Sequence, residues 1–188
     1  MAKLLITTLL ISTSLLCCTT NTQKRKSELP NYTTGFSVNG KDSNNKAIIS
    51  YFKFDKDSIT VLPFEIAIVL SPKAKDKIIS NNETIIIHVS LTGAPKDKKL
   101  ISKCGDFYVA SADKEIIYGQ IAKFDNIKFS KKVYDQLIDK DVSIDVFFYS
   151  GRKSSKDNLL SGNSLFNNIS NVVTKRFELT GKLIYGDN

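Results

Sequence analysis

Apolar and polar residues alternate with a period of two along most of the chain, which is the pattern of strands with one face turned to a core. In the run from Ile85 to Leu91, Ile85, Ile87, Val89 and Leu91 fall on one side, and Ile86, His88 and Ser90 join Thr84 on the other. Val142, Ile144, Val146 and Phe148 alternate in the same way against Ser143, Asp145, Phe147 and Tyr149. Towards the C-terminus Phe177, Leu179, Gly181, Leu183 and Tyr185 oppose Arg176, Glu178, Thr180, Lys182 and Ile184. Two earlier runs, 48–54 and 59–70, fit the same template, and Pro63 inside the second predicts an edge or a bulge there. Shorter candidates cover 107–110, 116–120 and 121–129.

Turn chemistry separates these runs, at Asn39-Gly40, Asn81-Asn82, Thr92-Gly93-Ala94-Pro95 and Ser150-Gly151. Two segments read as helical instead. Ser130 is placed to cap a helix over 131–140, with Val133, Tyr134, Leu137 and Ile138 in one stripe. Asn163 or Ser164 would open a shorter turn to Asn171, with Leu165, Phe166 and Ile169 inward. About seven to nine strands with one or two short helices predict a mainly all-β domain, an antiparallel β-sandwich. The absence of tryptophan removes the Cys…Trp…Cys signature of antibody-like sandwiches.

The first residues follow a different rule. Lys3 precedes an apolar or small run from Leu4 to Leu16, and Cys17-Cys18 follow. That is the layout of a secretory signal. A bilayer-spanning helix needs about 20 residues, so the run is too short to stay as a transmembrane anchor. Leu15-Leu16-Cys17-Cys18 resembles a lipobox, in which an apolar residue three places back and a small one immediately before precede an acylated cysteine. Cys18, preceded by Cys17, suits a pocket for small residues better than Cys17 preceded by Leu16, although Gly, Ala or Ser is more usual there. The resemblance implies a signal peptide over 1–17, lipidation at Cys18 and a membrane attachment through the acyl chains. Residues 18–33 read as a polar tether that includes Lys24-Arg25-Lys26 and Pro30, and 34–188 as a single domain.

Composition adds an address. Lysine, asparagine and isoleucine are abundant, and arginine occurs only at Arg25, Arg152 and Arg176. With the relaxed lipobox and charged tether, this resembles the outer surface lipoproteins of Borrelia-type spirochaetes over the first thirty or so residues. The resemblance implies a lipid-anchored protein of the outer membrane, exposed at the cell surface. Cys104 is the remaining thiol once the signal is removed, so no intramolecular disulfide is expected.

The formal net charge is +8. Lys96, Lys98, Lys99, Arg152, Lys153, Lys175 and Arg176 lie at expected turns and strand ends, and would form an anionic-ligand patch if they converged. A sulfated glycan or an acidic host macromolecule would then be the partner. The outward pair Phe147 and Tyr149 offers an apolar alternative. Nucleic acid is disfavoured by the exported address and by the lack of an aromatic–basic module. One histidine, His88, serves the whole chain. Metal sites and catalytic triads usually recruit more, and neither a phosphate loop nor a calcium-loop spacing is present. The expectation is therefore a non-catalytic binding or adhesion protein without metal or cofactor. The alternative is an inward-facing structural lipoprotein of envelope assembly.

Overall fold

The structure, a computed structural model, describes residues 51–103 and 105–186. The signal and tether, Cys18 among them, lie outside the described residues, as do Cys104 and the first half of the run 48–54. The described chain is an all-β, sandwich-like domain with eleven strands in three sheets and two α-helices.

The first sheet has the order β10-β8-β4-β5, formed by Leu165–Asn168, Ser143–Ser150, Thr84–Gly93 and Phe107–Ile117. All its pairings are antiparallel. The alternation read from the sequence fixes its inner face: Ile85, Ile87, Val89 and Leu91 are fully buried, and Val142, Ile144, Val146 and Phe148 nearly so. The candidate 107–110 and the first two residues of the candidate 116–120 belong to one strand, β5, which ends at Ile117 and carries a bulge opposite Leu91/Thr92.

The second sheet has the order β6-β3-β11-β9, formed by Ala122–Phe124, Phe64–Leu70, Arg176–Leu183 and Leu160–Gly162. Here one pairing departs from the antiparallel expectation. β3 and β11 run parallel, with Ile66 opposite Phe177 and Ile68 opposite Leu179. Side-chain periodicity is the same for either strand direction, so the alternation carried no information on this point. A small third sheet, β1-β2-β7, pairs Phe52–Phe54, Ser58–Val61 and Lys128–Ser130. The expected single run 59–70 is divided at Leu62-Pro63, because proline cannot donate to a continuous ladder.

Two helical expectations need correction, and one helix was missed. The segment 163–171 is strand β10 followed by a 3-10 turn at Ile169–Asn171, and Phe166 is 71% exposed instead of inward. Its period is two, shortened until it can pass for helix. The helix capped by Ser130 is present as α2, but it stops at Gln136. Leu137 turns extended to bridge Pro95, and the Lys140 ammonium donates to the carbonyls of Tyr134 and Leu137. Helix α1, Pro72–Ser80, starts from a Ser71 hydroxyl that accepts the Ala74 N–H at 3.2 Å. Proline at the first helical position is preorganised for this start. Its buried face is only Ala74 and Ile78, too narrow a stripe to announce a helix.

Candidate functional site

The outward face of the first sheet is built by the residues that alternate with the core positions. His88 stands opposite Phe147, and Ile86 opposite Tyr149, on β4 and β8. Asp113 and Glu115 of β5 flank His88 and Ile86 on the other side. The rings form a row: Tyr149 and Phe147 are 6.3 Å apart between centroids, and Phe147 and His88 are 4.9 Å apart. Phe147 is 40% exposed. A shallow depression of about 520 Å³ lies along this row, lined by Ile86, Phe147, Tyr149, Arg152 and Asn158 among others.

The turn after β8 closes one end of the face. Gly151 donates its N–H to the Thr84 carbonyl, and a Cβ at Gly151 would fall on the Thr84 hydroxyl. Arg152 follows with φ 60°, in the left-handed region that costs a residue with a Cβ about 1–2 kcal/mol. Its guanidinium carbon lies 6.0 Å from the centroid of the Tyr149 ring. Glu83 holds this turn in place. Its carboxylate is 2% exposed and accepts the N–H groups of Thr84, Lys153 and Ser154 and the Ser154 hydroxyl, at 3.0, 3.1, 2.7 and 2.6 Å. Burial alone would raise the Glu83 pKa, but the Ser154 hydroxyl and the three backbone donors outweigh it and hold the carboxyl below its ordinary value. Beside it, the Lys153 ammonium at 2.8 Å and then the Thr84 hydroxyl lower the pKa of the exposed Glu115.

His88 Nδ1 lies 2.7 Å from Asp113 Oδ1, but no nucleophile is in contact with the imidazole in the described hydrogen bonds. Among the described residues no group of three or more His, Cys, Asp or Glu side chains is placed to hold a metal ion. No helix among them is long and apolar enough to cross a membrane.

The seven cations singled out in the sequence fall in three places. Lys96, Lys98 and Lys99 lie in the connection from β4 to β5, where Lys96 donates to the Asp135 carbonyl at 2.7 Å. Arg152 and Lys153 lie at the other end of β4, since Ile85 pairs with Ser150 and Thr92 with Ser143. At about 3.4 Å per residue, these ends are roughly 25 Å apart. Lys175 and Arg176 open β11 in the second sheet, where Arg176 donates twice to Glu65, at 2.9 and 2.7 Å. Phe147 and Tyr149 are where their alternation put them. Glu83 gave no sequence signal, because its partners are about seventy residues away in the chain.

No protein-family model matches the chain, and no curated protein or solved structure is significantly similar to it.

Proposed function

We propose that the protein is a lipid-anchored outer surface lipoprotein whose sandwich domain is a non-catalytic binding module for a host or environmental macromolecule. The anchor is Cys18, and the contact surface is the outward face of β8 and β4. One observation carries the binding role: Tyr149, Phe147 and His88 form a solvent-facing aromatic row with an arginine held at its end. Aromatic residues and arginine are the types that dominate the centres of protein recognition surfaces. Two acyl chains or more would keep such a module stably in a membrane.

Metabolic labelling with radioactive palmitate tests the anchor: label is expected in the parent protein and absent from Cys18→Ser. Protease added to intact cells tests the address. Loss of the protein from intact cells is the expected result. Survival until the envelope is broken would overturn surface display and favour the inward-facing alternative.

A further inference from the structure

Arg152 occupies a backbone conformation that glycine adopts freely and arginine does not. Such strain clusters at functional sites, so a bulky side chain there points to a use. That use is not found within the described protein: the Arg152 side chain makes no hydrogen bond or ion pair there, whereas its neighbour Lys153 is paired with Glu115, and Arg176 with Glu65. Its one close relationship is with the Tyr149 ring. An arginine laid against a ring keeps its N–H edge open, and that edge matches a carboxylate with two parallel hydrogen bonds. Glu83 fixes the turn beforehand, so little ordering remains for a ligand to drive.

The rest of the row selects the kind of anion. From Arg152 the outward positions along β8 run Tyr149, Phe147, Asp145. The Asp145 carboxylate, like the guanidinium, makes no side-chain hydrogen bond or ion pair among the described residues. Asp113 and Glu115 stand on β5, one strand further across, beyond β4. A polyanionic glycan would be drawn to one end of this face and repelled along the remainder. A segment that presents a carboxylate, then apolar groups, then a cation would meet complementary groups throughout. Tyr149 and Asp145 are four positions apart in the strand, about 13 Å, which an extended peptide covers in about four steps. We infer that Arg152 is the anion-reading residue of this face and that its ligand is an extended peptide segment of a partner protein with an acid and a base about four positions apart. The inference rests on the reading of this face as a contact surface.

An array of synthetic peptides tests it with the full-length chain in detergent. The peptides carry a glutamate and a lysine about four residues apart around leucine and tyrosine, with the order reversed or the glutamate replaced by glutamine as controls. A heparin oligosaccharide serves as the glycan probe. Peptides of the stated order are expected to bind, with affinity reduced about tenfold or more in Arg152→Gly while its Tm stays level or rises. A Tm lowered by several degrees would show that Arg152 is structural and overturn the inference. So would unchanged peptide binding in Arg152→Gly, no peptide binding at all, or binding of heparin alone. Phe147→Ala separates the two readings. If it abolishes binding while Arg152→Gly does not, the contact face stands and the role of Arg152 falls. If Arg152→Gly abolishes binding while Phe147→Ala does not, the aromatic contact face falls instead.

Discussion

The Phe148 ring of the first sheet sits against the backbone of Gly181 in the second, so closely that a Cβ on Gly181 would lie 2.5 Å from the tip of the ring. Gly162, the register partner of Gly181 on β9, faces the same ring. The two glycines thus form the floor on which the sheets meet, and they set how closely they approach.

Alanine at either glycine should overpack this contact, at about 1–3 kcal/mol each. The two sites differ in what surrounds them. At Gly181 the near atoms are side chains, of Phe148 and Leu70, whereas at Gly162 the Thr180 carbonyl oxygen is also 2.5 Å from the added carbon. Trimming the ring with Phe148→Leu should therefore recover most of the loss in Gly181→Ala and little of that in Gly162→Ala. Urea unfolding of the single and double variants measures both couplings. Equal rescue at the two sites would contradict this packing.

A second strained residue supplies a control for the outward face. Thr174 has φ 63°, an outlier for a β-branched residue, and its N–H donates to the Pro63 carbonyl at 2.7 Å. It leads into β11, where the Lys175 carbonyl accepts the Glu65 N–H and starts the parallel pairing. Thr174→Gly keeps that backbone bond and relieves the strain. The expected result is a stability equal to the parent's or higher by about 1 kcal/mol, with peptide binding at the outward face unaltered. A clear loss of stability in thermal unfolding would mean that the threonine side chain itself holds the turn.

Much of this fold is legible in the sequence. The alternation on β4 and β8 identified both the buried positions and the outward Phe147 and Tyr149, because a period of two commits every side chain to a face. What was not legible depended on distance along the chain or on very short elements. The parallel neighbours β3 and β11 are separated by about a hundred residues, and nothing in either strand encodes its direction. β10 is four residues long, so its alternation cannot be told from one helical turn. The cations at 96–99, 152–153 and 175–176 look equivalent as sequence, and only topology assigns them to different ends and sheets.

Edge protection gives another test. β5 lies at the edge of the first sheet, and Ala110, Ala112, Lys114 and Ile116 are the positions in register with the buried face of β4. Lys114 is the exception in that set: it is exposed, and its ammonium donates to the Lys123 carbonyl of β6 at 2.9 Å. A charge on an edge strand, here at a position in register with core residues, discourages pairing with a second molecule. Lys114→Ile should raise concentration-dependent association relative to the parent chain, read by light scattering. Identical association in the two proteins would remove this role for Lys114.

The clamp at Glu83 makes the stability depend on acid. A carboxyl whose folded pKa lies below its unfolded value contributes stability fully above the unfolded pKa, and loses that contribution as pH falls through the folded one. The unfolding free energy should thus be level above about pH 5 and decline below the ordinary glutamate pKa of about 4.3. Glu115, lowered as well, adds to the decline in the same window, but from an exposed position where solvent screens it. Glu83→Gln keeps the shape and turns one acceptor into a donor that faces backbone N–H groups. At neutral pH it should cost about 2–3 kcal/mol, and its stability should decline less steeply in acid than the parent's. Because the turn it releases carries Arg152, peptide affinity should fall as well, even at a temperature where the variant is fully folded. Urea titrations at several pH values decide the matter: a variant that retains the parent's full acid dependence would show that the slope arises elsewhere, and that Glu83 is not the group that fastens the turn.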